Sequence, residues 1–183
     1  MMRRAAWVFL LGIALASTAP LVVAAEDQTA YFLGEVRISA PNGQVVGNSL
    51  SLVKRTLKPV ENRIIEVVAS IDLSKPAKEF TTVFEVDGSR FVMKDAEGTF
   101  TGSGELTGTA WQWTGWKYEV EFTGGPARGR LKGEDVLGAA GLTAKKSFMS
   151  PDGIVRAQFA EELNPVSKAV YDILHAKLMP APK

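Results

Sequence analysis

From Tyr31 to Leu163 the chain alternates short runs of Val, Ile, Phe, Tyr and Thr with clusters of Gly, Pro, Asn and Asp. Runs of this length and composition, bounded by turn formers, mark consecutive antiparallel strands. The boundaries predict strands near 31–38, 45–54, 63–73, 79–87, 89–95, 99–107, 109–114, 116–123, 127–134, 142–149 and 154–163. Turns are expected at Pro41-Asn42-Gly43, Asp87-Gly88, Glu97-Gly98, Gly124-Gly125-Pro126 and Pro151-Asp152-Gly153. Alternation is cleanest where Trp116, Tyr118, Val120 and Phe122 share one face and Lys117, Glu119 and Glu121 the other. An open sheet of this many strands would curl and keep two bare edges, and closing it removes both. The expected fold class is therefore all-β, an antiparallel meander β-barrel with one C-terminal α-helix. Gly98, Gly102, Gly104 and Gly108 suit tightly bent barrel strands.

Side-chain chemistry supports the hairpins. A two-residue loop at Asp87-Gly88 would set Glu85 against Arg90 and Phe84 against Phe91, an ion pair on one face and an aromatic pair on the other. A four-residue Thr123–Pro126 connection would set Glu121 against Arg128, Glu119 against Arg130, Tyr118 against Leu131 and Trp116 over Gly133. After the strands the period changes. Asn164 reads as a helix cap and Pro165 as a first helical residue. Val166, Val170, Ile173 and Leu174 then form an apolar stripe over about 165–178, stopped by Pro180.

The N-terminus reads differently from the rest. Arg3 and Arg4, an apolar run from Ala5 to Ala16 and small residues up to Ala25 have the three parts of a secretory signal. Cleavage is expected after Ala25, giving residues 26–183 as one barrel domain in the periplasm or outside the cell, with no membrane anchor. The leader carries two arginines and no acid, so 19 basic residues then face 20 acidic ones. Such a chain has no global field to gather nucleic acid. It has no cysteine, so neither disulfides nor thiol chemistry is available to it.

Few residues suggest catalysis. His175, the one histidine, falls in the expected helix, away from any cavity. Gly102-Ser103-Gly104 lacks the spacing of a phosphate loop, and Pro151-Asp152-Gly153 offers one carboxylate where calcium needs several oxygens. Glu134-Asp135 and Glu161-Glu162 are adjacent pairs that point to opposite faces, and read as solvated surface acids. Arg128, Arg130 and Lys132 alternate on the outer face. The aromatic series Trp111, Trp113, Trp116, Tyr118 and Phe122 either fills a core or lines a pocket, with a bend at Gly115 able to bring Trp116 onto the face of the other two indoles. Two charges break the pattern: Lys146 has the parity of Leu142, Ala144 and Phe148, and Glu161 that of Val155, Ala157 and Phe159. Both are expected to snorkel at a barrel mouth, or to anchor a ligand's polar end.

A signal, a meander and a closing helix together resemble the lipocalin and broader calycin group in architecture. The Gly-x-Trp of the lipocalin first strand is absent, since Glu35 and Val36 follow Gly34. Thr107-Gly108-Thr109-Ala110-Trp111 also resembles segments of several exported bacterial barrel families. The resemblance implies a cavity for a small apolar or amphipathic molecule. Its expected walls are Phe84, Phe91, Trp111, Trp113, Trp116 and Tyr118, with Lys146 and Glu161 as polar anchors. No cofactor is expected. The alternatives are a filled barrel that engages another envelope component and, behind it, a barrel isomerase or hydrolase using an inner carboxylate.

Overall fold

A computed structural model describes residues 26–71, 77–109, 111–123 and 128–179. The leader expected over residues 1–25 and the turn expected at Gly124-Gly125-Pro126 lie outside the described residues. Ten strands follow in chain order: β1 (Gln28–Ser39), β2 (Val45–Lys58), β3 (Arg63–Ile71), β4 (Lys78–Asp87), β5 (Arg90–Asp95), β6 (Phe100–Thr109), β7 (Gln112–Phe122), β8 (Gly129–Gly138), β9 (Gly141–Met149) and β10 (Val155–Pro165). A helix, α1 (Lys168–Leu178), ends the described chain. Every strand pairs antiparallel with its sequence neighbours, and β1 pairs with both β2 and β10, so the sheet is a closed meander barrel.

The runs at 109–114 and 116–123 are one strand, not two. Pairing with β6 passes from Gly115 to Trp113, leaving Thr114 as the extra residue of a bulge. A bulge switches the faces of the residues on its two sides. It thereby puts odd-numbered Trp113 and even-numbered Trp116 on the same inner wall. Trp111 itself sits in the β6–β7 turn with φ 62.

Both hairpin registers differ from the expected ones by two residues. The β4–β5 loop is Gly88-Ser89, so Asp87 faces Arg90 and Phe84 faces Met93. Gly88 takes the left-handed φ of 60 that begins such a turn. Because the slip is two residues, every side chain keeps its face. Phe84 and Phe91 still meet edge to face at 5.4 Å, now as diagonal neighbours. In the β7–β8 pair Glu121 faces Arg130, Glu119 faces Lys132 and Trp116 faces Asp135.

The same slip makes Tyr118, rather than Trp116, the ring that covers Gly133. A Cβ added at Gly133 would lie 2.3 Å from Tyr118 Cζ, and one added at Gly104 would lie 2.4 Å from Phe91 Cζ. These two glycines let a ring on the adjacent strand lie over bare backbone.

The helix starts later than expected. Asn164 and Pro165 stay in β10, opposite Leu33 and Phe32, because that pairing completes the closing seam. Ser167 caps α1, its Oγ accepting from Val170 N at 3.3 Å. The helix lies on the outside of the barrel. Tyr171 packs there against Leu52 and Ala69, and its ring centroid is 4.9 Å from that of Tyr31. β2 and β3 are therefore apolar on both faces: Val53 and Ile64 look inward, Leu52 and Ala69 outward under the helix.

Gly133→Ala is expected to lower stability by about 1–3 kcal/mol, the usual cost of overpacking. Urea denaturation would show a lower midpoint with an unchanged slope. An unchanged midpoint would mean that the Tyr118 ring does not rest on this strand.

Candidate functional site

The barrel interior has three levels. At one end the rings of Phe100, Phe122 and Phe148 pack in series, with centroids 5.5 and 6.0 Å apart. At the other end, between the start of β1, the end of β2 and the β6–β7 turn, lies a chamber of about 390 Å³. That volume falls within the roughly 300–1,000 Å³ typical of small-molecule sites. Between the two ends is a polar waist.

The chamber wall is mostly apolar. Phe84, Phe91, Trp111, Trp113 and Trp116 line it, together with Phe32, Ile64 and Leu106. The indoles of Trp111 and Trp113 lie 4.8 Å apart at the turn. A bulky residue with positive φ stays in that conformation only when its surroundings hold it, and here the partner ring does so. Gln28, Thr29 and Gln112 supply polar groups to the lining.

Arg55 forms the charged part of the lining. Its guanidinium lies over the Trp116 ring, with Cζ 4.2 Å from the centroid, and its side chain is 10% exposed. Both Nε, at 2.7 Å, and Nη2 donate to Glu66 Oε2 on the neighbouring strand. The cation–π contact and the directed pair together fix the arginine.

Below Arg55 is a second cavity of about 60 Å³, walled in part by Glu66, Asp135, Lys146 and Glu161, and Arg55 lines both cavities. Lys146 Nζ donates to Glu161 Oε1 at 2.6 Å, and the two side chains are 20% and 15% exposed. This corrects the expectation that they snorkel at a mouth. They sit inside the barrel, and each is the partner that makes burial of the other tolerable. Burial alone would lower the Lys146 ammonium, but the carboxylates of Glu161 and Asp135 outweigh it and the shift is upward. Tyr118 belongs to the core packing around this level and does not line the large chamber. Burial pushes its phenol well above the ordinary range, so it remains neutral.

Asp135 corrects the reading of Glu134-Asp135 as two solvated acids. Glu134 does face outward, its Oε1 3.3 Å from Lys117 Nζ. Asp135 faces inward, 6% exposed, and among the described residues its Oδ1 has no hydrogen-bond partner. Burial, opposed mainly by Lys146, pushes its carboxyl up from the ordinary 3.8 to about 6. Farther along the inner wall Asp95 is handled differently. Burial would raise it, but Thr99 Oγ1 and Phe100 N, the latter at 3.0 Å, donate to it and hold its carboxyl below the ordinary value.

Arg55, Glu66 and Asp135 are the site residues that sequence reasoning missed. Each has the parity of inward neighbours: Arg55 that of Val53, Glu66 that of Ile64, Asp135 that of Leu131. His175 lies outside on α1, stacked at 5.5 Å on Tyr171, with Nε2 2.6 Å from Glu79 Oε2. No family profile, curated protein or solved structure matches the chain.

A pH series on Asp135→Asn tests the waist. The unfolded chain loses the Asp135 proton near 3.8 and the folded protein near 6. Between those values the folded state binds more protons, so the residue's contribution to stability falls as pH rises through this window. A shift of about two units corresponds to roughly 3 kcal/mol. Asp135→Asn should therefore be more stable than the parent at pH 8 by about 1–3 kcal/mol, and the advantage should disappear by pH 4. An equal difference at both pH values in urea denaturation would contradict the assignment.

Proposed function

We propose that this chain is an exported, calycin-type barrel of one domain that binds a small apolar or amphipathic molecule in its chamber. The observation that carries the reading is the chamber itself. A volume of about 390 Å³ bounded by Phe32, Ile64, Phe84, Phe91, Leu106 and three indoles presents apolar surface that gains by covering. The chamber rings pack only in pairs, Phe84 with Phe91 and Trp111 with Trp113, and leave open space beside them, whereas Phe100, Phe122 and Phe148 pack in series at the opposite end. Export rests on the leader over residues 1–25. Among the described residues no helix is long and apolar enough to cross a membrane.

A second reading has one observation in its favour. Asp135, with a carboxyl pushed up to about 6 and an unpartnered oxygen, is the kind of inner carboxylate that a barrel isomerase would use. It lines the small cavity under Arg55 and not the large chamber. A substrate in the chamber would meet Arg55 first, and binding is therefore the reading preferred here.

The test is organic extraction of the purified protein with mass spectrometry, followed by titration of tryptophan emission with apolar probes. With three indoles on the wall, an occupant should change that emission. Ala30 stands on the chamber wall at the exposed start of β1, so Ala30→Trp should narrow the chamber and leave the core intact. Probe binding should weaken by about tenfold or more while Tm stays within about 3 °C. No extracted species, no emission change and no effect of Ala30→Trp would overturn the proposal.

A further inference from the structure

Resting on the chamber reading above, we infer that the site selects an uncharged molecule tipped by a hydrogen-bond acceptor, such as a ketone, ester or amide carbonyl, over a free carboxylate or an amine.

An arginine at the base of an apolar chamber would ordinarily suggest an anionic headgroup. The groups around it argue otherwise. Arg55 on β2 is already paired with Glu66 on β3. Lys146 on β9 is already paired with Glu161 on β10. Asp135 on β8 is a third carboxylate beside these two cations, and Asp95 on β5 is a fourth on the inner wall. Tyr118 on β7 adds no charge. A ligand carboxylate brought to Arg55 would join an interior whose acids already outnumber its bases, with little water to screen the excess.

An ammonium has the opposite difficulty. The large chamber is lined by no Asp or Glu among the described residues, and the charge it does present is the guanidinium. A cation would meet like charge before reaching any carboxylate below.

A neutral acceptor suits the arrangement. Nε and Nη2 of Arg55 are turned to Glu66, while Nη1 has no partner among the described residues. A carbonyl oxygen can take a charge-assisted bond from an arginine N–H without altering the charge balance. The aromatic wall then covers the apolar remainder, and the rim residues Gln28 and Gln112 suit a second neutral polar group.

The experiment titrates tryptophan emission of the purified chain at pH 8 with three probes of matched length: 2-undecanone, decanoic acid and decylamine. The ketone is expected to bind at least about tenfold more tightly than either ion. Asp135→Asn removes the surplus carboxylate and should narrow the ketone-to-acid gap at pH 8. Arg55→Met combined with Glu66→Leu removes both charges together and should weaken ketone binding by about tenfold.

Acid or amine binding as tight as the ketone would overturn this selectivity and leave the chamber reading standing. No response to any of the three probes would count against the chamber itself. Should the double variant fail to fold, the three-probe comparison on the parent and on Asp135→Asn still decides the matter.

Discussion

The structure depends on β1 holding two partners at once. Along one edge it pairs with β2 from Gln28 to Ser39, and along the other with β10 from Phe32 to Ser39. Closure gives the sheet an inside, and an inside is what turns alternation along each strand into a radial separation of chemistry. Odd and even positions become wall and solvent face. The inner column of each strand then has to be filled, bared to backbone by glycine, or left open as a cavity. All three outcomes occur: the phenylalanine series at one end, the Tyr118–Gly133 and Phe91–Gly104 contacts in the wall, and the chamber at the other end.

The waist adds a second constraint. Charged groups inside a barrel are costly unless paired, and the two pairs across β2–β3 and β9–β10 meet that condition. Asp135 does not, and a carboxyl that keeps its proton up to about pH 6 is the response of an isolated acid to burial. The same cluster divides the interior. Above Arg55 the surface is aromatic and aliphatic, and below it is a polar cavity of about 60 Å³, room for a water or two.

Much of this was legible in the residues, because a period of two survives small errors. The β4–β5 and β7–β8 registers each differ by two positions from those expected, yet Phe84, Phe91, Trp116 and Tyr118 keep the inner face. Lys146 and Glu161 stood out because their strands alternate cleanly. Arg55 lies one residue past the expected strand end at 54, and both it and Glu66 are hidden for a further physical reason. α1 covers the outside of β2 and β3, so Leu52 and Ala69 are as apolar as Val53 and Ile64, and the alternation that would expose an inward charge is blurred. Asp135 was lost differently: β8 runs on to Gly138, past the expected end at 134. The bulge at Thr114, which brings Trp113 and Trp116 together, leaves no mark in the pattern beyond the neighbouring glycine.

The seam between first and last strands also bears on how the molecule is made. Gly34 cannot meet Leu163 until the whole of the chain between them has been synthesised, and contacts of such long sequence separation form late and slowly. Until β10 arrives, the outer edge of β1 is an unpaired ladder of donors and acceptors, open to any extended segment nearby. The nascent chain is thus most vulnerable to misassembly at its oldest strand, and its youngest strand removes that hazard.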